Sequence, residues 1–327
     1  MTRKRWVVLA VVLAIVTALV VASGPPKPTP NRAGAAFSFA VLGDAPYFAW
    51  EEWRYPLALQ DIDQNELAFV IHVGDIFWRP CTDEMYRKTL ARFDALRHPV
   101  IYTPGDNEWT DCWEEGSGGF RPQERLQRIR EIFYAPHPPP LSAGERTAGG
   151  RVRGLVRQAE FIENARWEHG GVLFATVDIP GSGNGMEPFP GRTPADDLAN
   201  RQRTEAAAAW VREAFAAAAA GKAKAVVIGF QANADLEKPA ADKYRQLFEP
   251  FLGALTEESR RFRKPVLAVH GDGHVYIVDH PLDGVRNFTR LQVPGSPRVG
   301  WVRVFVTPNA ASPWAFENHV VPQWKYW

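Results

Sequence analysis

Beyond residue 37 the chain alternates short apolar runs with amphipathic stretches. Residues 37–43, 67–73 and 99–103 are rich in β-branched and aromatic side chains and read as strands. Segments 56–65 and 84–96 carry the three-to-four spacing of helices. This rhythm predicts a sheet with helical crossovers. The later half repeats it with longer elements: strands at 172–179, 225–230 and 265–270, the last continuing at 275–278, and an alanine-rich helix at 196–220. Segments 288–293, 301–307 and 315–321 then follow as strands with no helix between them. Parallel units first and an antiparallel ending imply an α/β protein of two sheets packed face to face with helices outside. Residues 136–153, rich in Pro, Gly and Ala, have neither period and read as a long surface loop.

Before residue 37 the pattern changes. Thr2-Arg3-Lys4-Arg5 is a basic leader, and residues 6–22 form a 17-residue apolar or near-apolar run. As a helix this run would reach roughly 25 Å, just short of a hydrocarbon core of about 30 Å. Residues 1–23 therefore read as a signal peptide or as an N-terminal membrane anchor: Val20-Val21-Ala22 offers a cleavage site, and the length of the run favours retention. On both readings the positive leader places the rest of the chain outside the cytoplasm, periplasmic or on the extracellular face of a bacterial cytoplasmic membrane. If uncleaved, the segment makes the membrane a partner. The proline-dense residues 24–36 suit only an extended linker. That leaves 37–327 as one large domain.

Composition narrows the function classes. With 46% hydrophobic and 23% charged residues the chain is an ordinary globular protein, which excludes collagen-like, coiled-coil and disordered readings. A net charge of +1, with no basic run beyond the leader and Arg260-Arg261-Phe262-Arg263-Lys264, argues against a nucleic-acid partner.

Each of the first three strands ends in Gly-Asp, and the aspartates Asp44, Asp75 and Asp106 lie 31 residues apart. Sites in α/β sheets form just outside the carboxyl ends of strands, so the three converge at one edge. A single Gly-Asp is a turn signal; three at the same place in successive units are not explained by turns. Asn107, Glu108, Gln231, His270, Asp272 and His274 join them at strand ends. Gathered carboxylates repel one another, and burial sharpens the repulsion unless cations neutralise it. Oxygen-rich ligands with one or two imidazoles favour Mn, Fe, Mg or Ca over a thiolate-type zinc site.

Several of these residues also have structural readings. His270 is a ligand or a core histidine, and His72 suits a supporting position behind a ligand. Gln231 either ligates through its amide oxygen or satisfies backbone at a strand end. Glu108 is either a proton donor or a loop partner, and Tyr47, Asn184 and Arg201 either face a substrate or pack. Gly181-Ser182-Gly183-Asn184-Gly185 resembles a phosphate-cradling loop, but no helix is expected to open after it. No Gly-x-Ser-x-Gly elbow precedes a helix, which argues against a serine hydrolase. Twelve tryptophans suit a core or a sugar-binding cleft.

The succession Gly43-Asp44, Gly74-Asp75, Gly105-Asp106-Asn107-Glu108 and Gly271-Asp272-Gly273-His274 resembles the calcineurin-like metallophosphoesterases. The residues 102–112 and the phrases His72-Val73-Gly74-Asp75 and Asn287-Phe288-Thr289-Arg290 resemble a divergent bacterial exported branch of that family. The resemblance implies a four-layer αββα sandwich and two divalent metal ions, Mn or Fe foremost, with Mg, Ca and Zn as alternatives. It implies ligation by Asp44, Asp75 and His274 at one ion and by Asp75, Asp106, Gln231 and Asp272 at the other, and a phosphorylated small molecule or other phosphoester as substrate. The departures are specific. Pro46 stands where the family carries a metal-binding histidine, Asp106 where it carries asparagine, Gln231 and Asp272 where it carries histidines. Asn107 replaces the histidine that protonates the leaving group, with Glu108 beside it as a substitute acid. The alternative to a phosphoesterase is a catalytically degenerate member acting as an extracytoplasmic metal- or ligand-binding protein.

Cys81 lies six residues after Asp75 and Cys112 six after Asp106. The equal offset from neighbouring strand ends, in an oxidising compartment, predicts a disulfide.

Overall fold

The protein is described here by a computed structural model covering residues 34–134, 152 and 154–322. The leader at 1–23, nearly all of the 24–36 linker, and most of the 136–153 loop lie outside the described residues. Among the described residues no helix is long and apolar enough to cross a membrane.

Alternation within the strands sets the layers. In β1 (Phe37–Leu42), Phe39 and Val41 enter one apolar cluster while Ala40 and Leu42 enter another, so the strand is buried on both faces. A sheet of such strands must be covered on both sides. The first sheet adds β2 (Val70–His72), β3 (Val100–Tyr102), β11 (Gly300–Val306) and β12 (Trp314–Val320) in the order β12-β11-β1-β2-β3. Its β1, β2 and β3 run parallel, and β11 and β12 close it antiparallel. The second sheet has the order β4-β5-β6-β7-β8-β10-β9: β4 (Val156–Arg157), β5 (Ala165–His169), β6 (Val172–Thr176), β7 (Ala225–Gly229), β8 (Val266–His270), β9 (Ile277–Asp279) and β10 (Phe288–Gln292).

Between the sheets Phe39, Phe69 and Ile71 meet Trp167, Phe174 and Leu267 in a dry core. Outside the first sheet lie α1 (Ala49–Glu52), α2 (Tyr55–Gln64), α3 (Asp83–Ala95) and α4 (Pro122–Ile129), of which the last three send Ile62, Phe93 and Ile129 into a second core. Outside the second sheet α5 (Pro194–Ala220) and α6 (Phe251–Phe262) cover Val226 and Ile228 with Val211, Phe215 and Leu255. Alanines along α5 let this long helix lie close on the strands. Three cores between four layers give the expected αββα sandwich.

Several strands are shorter than the apolar pattern suggests. The second runs only over Val70–His72, starting three residues later than its pattern, and the 172–179 segment only over Val172–Thr176, where the chain beyond leaves the sheet toward the site. The run after His270 does not continue that strand. Asp272 and His274 adopt left-handed backbone, the chain turns back, and β9 pairs antiparallel with β10 at the sheet edge. Helices α1, α4 and α6 and the β4–β5 pair add to the elements legible from the pattern.

Candidate metal centre

The parallel strands of both sheets deliver their carboxyl ends to one edge. Asp44 follows β1, Asp75 follows β2, Asp106 follows β3, Gln231 follows β7, and Asp272 and His274 follow β8. Asp44, Asp75, Asp272 and His274 all have positive φ, of 55°, 55°, 66° and 57°. L-residues avoid that region at a cost of roughly 1–3 kcal/mol each, and such strain concentrates at functional sites. Two glycines make the approach possible. A Cβ on Gly105 would lie 2.2 Å from Asp75 Oδ1, and one on Gly271 would lie 2.2 Å from Asp44 Oδ2.

Asp44, Asp75 and His274 each present a ligand atom, all within 4.8 Å of one another. Asp44 is fully buried; its Oδ1 accepts from the Asp272 N–H at 2.7 Å, and its Oδ2 has no partner. His274 Nδ1 is 2.7 Å from the Ser296 carbonyl, so Nδ1 carries the proton, and the bare Nε2 lies 3.7 Å from Asp44 Oδ1. That is the tautomer a metal requires. Asp75 Oδ2 accepts from the Tyr47 hydroxyl at 2.5 Å and from Asn107 Nδ2 at 2.9 Å, and its Oδ1 accepts from the Asn107 N–H at 3.2 Å.

Asp106 and Asp272 flank the same space: a Cβ on Gly181 would lie 2.9 Å from an oxygen of each. Asp106 Oδ2 accepts from Ser182 Oγ at 2.8 Å while its Oδ1, buried and lining the cleft, has no partner. Ser182 is also 2.8 Å from Asp111 Oδ2. It sits on a left-handed turn at Gly181–Gly185, so the glycine-rich loop clamps carboxylates and opens no regular helix.

Electrostatics agree with a cation site. Burial, and then the charge of Asp272, raise Asp44 well above the usual carboxylate range; burial, and then Asp106, do the same to Asp75. Burial and the Asp272 charge push Asp106 up to about 6, and burial and the Asp106 charge push Asp111 up to about 7. His274 is lowered by burial. Carboxyl groups that ionise reluctantly, with unpartnered buried oxygens and a bare imidazole nitrogen, fit a hard divalent cation.

Two expected site residues also bind backbone. Gln231 reaches the site, and its Oε1 accepts from the Gly181 N–H at 2.5 Å, leaving that oxygen a second lone pair. Glu108 is fully buried and does not line the cleft. Its Oε1 accepts from the Gly105 N–H at 2.7 Å, the Asp75 N–H at 3.1 Å and the Tyr102 hydroxyl at 2.7 Å. Glu108 therefore ties together the loops that carry Asp75 and Asp106, the loop-partner reading, while its Oε2 is buried without a hydrogen-bond partner. Asn107 does reach the cleft, held on Asp75.

His72 is buried between the Gly74 N–H and the Tyr55 hydroxyl, and burial lowers it to about 3, a supporting position behind Asp75. His270 is buried and stacked on Phe230, a core histidine. Cys81 and Cys112 form a disulfide between the loops after β2 and β3. Tyr47, Ser182 and Asp111 are the contributors that strand-end spacing does not single out.

The cleft above these residues measures about 430 Å³ and is also lined by Tyr47, Phe48, Trp78 and Pro297. A separate surface hollow of about 450 Å³ lies among Glu257, Arg260, Arg261 and Arg263, with none of the strand-end residues.

No family model and no curated protein matches the sequence. Among solved structures, a dimetal phosphatase from Danio rerio superposes with a TM-score of 0.52 at 11% identity, over 88% of this chain and 99% of that one. The chain shares that protein's fold. A 5′-nucleotidase from Candida albicans matches at a TM-score of 0.43 and 12% identity, over 86% of this chain and 53% of that one. A phosphopantetheinyl hydrolase from Mycobacterium tuberculosis matches at 0.38 and 16%, over 80% and 91%. The first superposition agrees with the four-layer αββα sandwich seen in the two sheets and their flanking helices.

Proposed function

We propose that this chain is an exported, divalent-metal-dependent phosphoester hydrolase with a carboxylate-rich two-ion site. The observation that carries the reading is the trio of buried Asp44 and Asp75 with half-buried His274, with ligand atoms within 4.8 Å and an unpartnered oxygen on Asp44. In this reading Asp44, Asp75 and His274 hold one ion, and Asp75, Asp106, Gln231 and Asp272 hold the second. Bound ions would supply positive charge for phosphoryl oxygens and raise the acidity of water at the site.

The chain's own residues do the rest. Ser182 and Asn107 fix the carboxylates of Asp106 and Asp75 by hydrogen bonds, and Glu108 fixes the backbone that bears them. The Tyr47 hydroxyl, its ionisation opposed by burial and by the Asp75 charge, stays a donor on Asp75. At Asn107 a neutral amide stands in place of an acid, so a departing alkoxide receives none of the help, about 10²–10⁴-fold, that a positioned acid gives. Turnover should therefore fall steeply as leaving-group pKa rises, and Asn107→His should flatten that dependence. A flat dependence in the native protein would contradict the assignment.

The same amide favours a second reading, a protein that binds metal and phosphoester without turnover. Metal-dependent binding with no hydrolysis of any ester would select it. The disulfide supports export, since such bonds persist in oxidising compartments.

A further inference from the structure

We propose that the corner formed by Phe48 and Trp78 is the leaving-group subsite of this cleft and receives a flat aromatic ring carried by the phosphoester. The inference rests on the phosphoesterase reading for the position of the phosphoryl group. It has its own observations. Phe48 and Trp78 line the same cleft as Asp75, Asp106 and His274, so a ligand anchored on the carboxylates meets them without crossing protein. Their ring centroids are 5.4 Å apart with planes at 69°, a floor and a wall that give one planar guest a stacked and an edge contact together.

The corner is braced from behind. Arg79, which does not line the cleft, lies over the Trp78 ring at 4.0 Å. Trp50 stacks on Phe48 at 6.0 Å with planes 8° apart. Buried Glu51 accepts from the backbone N–H groups of Tyr47, at 2.6 Å, and of Phe48, at 3.4 Å, and from Ser296 Oγ at 2.7 Å, which pins the segment bearing Phe48 to the far rim. Yet Phe48 remains 41% exposed. A large apolar ring held rigidly in view of solvent at the mouth of a polar site has a guest as its simplest reason.

Charge narrows the guest. Among the described residues no lysine or arginine lines the cleft, so beyond the phosphoryl group these walls offer nothing to a polyanion. A single phosphoester on an uncharged aromatic group matches these walls.

Leaving-group acidity must be kept out of the test, so the probes are benzyl-, cyclohexylmethyl- and methylphosphonate, binding to the Mn-supplemented full chain by calorimetry. The native protein should bind benzylphosphonate most tightly. Phe48→Ala and Trp78→Ala should each lower the benzyl-to-methyl affinity ratio by roughly 2- to 12-fold, and Trp78→Phe should restore most of it, with melting curves confirming folded variants. Equal affinity for benzyl- and cyclohexylmethylphosphonate, or an unchanged ratio in both alanine variants, would overturn the subsite. Hydrolysis of benzyl and methyl phosphate separates the two ideas. Ring-dependent binding without hydrolysis of either ester, or of 4-nitrophenyl phosphate with its good leaving group, upholds the subsite and removes the hydrolase reading. Hydrolysis of both with no advantage for the ring does the reverse.

Discussion

Replacing Glu108 by glutamine separates a proton donor from a structural clamp. One carboxylate oxygen accepts from two backbone N–H groups and a tyrosine hydroxyl, at 2.7, 3.1 and 2.7 Å. Burial raises Glu108 to about 7, so at pH 8 the carboxylate predominates and the three bonds are charge-assisted. The raised pKa already includes those bonds and means that burial costs the charge more than they return, by about 3 kcal/mol at pH 8, so Glu108→Gln, which keeps a neutral acceptor in place, should be at least as stable as the native protein. Glu108→Ala should be less stable than Glu108→Gln, because it orphans the N–H groups of Gly105 and Asp75 at about 1–3 kcal/mol each. Urea unfolding at pH 8 measures both changes. Because those N–H groups belong to the loops that aim Asp75 and Asp106, affinity for Mn should fall in Glu108→Ala and stay near native in Glu108→Gln. Leaving-group dependence of any turnover should keep its native slope in Glu108→Gln. Equal stability and metal affinity in the two variants, together with a steeper slope in Glu108→Gln, would refute the clamp and make Glu108 the acid after all.

Other outcomes follow from the same structure. The Cys81–Cys112 bridge closes a loop with a sequence separation of 31, for which chain entropy gives about 4 kcal/mol, so the Cys81→Ala/Cys112→Ala protein should unfold at a correspondingly lower urea concentration; an unchanged midpoint would dismiss the bridge as a stabiliser. Burial raises Asp178 from 3.8 to about 7, against the opposing pull of Arg203. Its folded form holds a proton that its unfolded form releases, so its contribution is full below about pH 4 and is lost as pH rises through about 7, at most about 4 kcal/mol. Asp178→Asn should flatten the stability profile across that window relative to the native protein, and parallel profiles would show that Asp178 does not titrate there.

The strand-end carboxylates were legible because a β-branched run followed by Gly-Asp fixes both where a strand stops and which edge it faces. Asp44, Asp75, Asp106, Asp272 and His274 all reach the site for that reason. The cysteine pairing was legible through the same strand ends. Side-chain direction within a loop was not. Glu108 turns back to bind backbone and Gln231 gives its oxygen to Gly181, choices set by which N–H groups the folded loops leave bare. Tyr47, Ser182 and Asp111 enter through loops whose approach depends on the packing of two sheets. The spacing along the chain carries no trace of that approach, apart from the glycines of 181–185, which allow the left-handed turn placing Ser182 between two carboxylates.

The central claim is that carboxylates from separate strands assemble a two-ion centre around Asp75. Calorimetric titration of the metal-free protein with Mn, with the melting temperature followed in parallel, tests it most directly. The native chain should take up two equivalents and melt higher when loaded, since a ligand at a hundred times its Kd stabilises by about 2.7 kcal/mol. Asp44→Asn should lose one equivalent and Asp75→Asn should weaken both. Two equivalents bound with native affinity by Asp75→Asn would contradict the account.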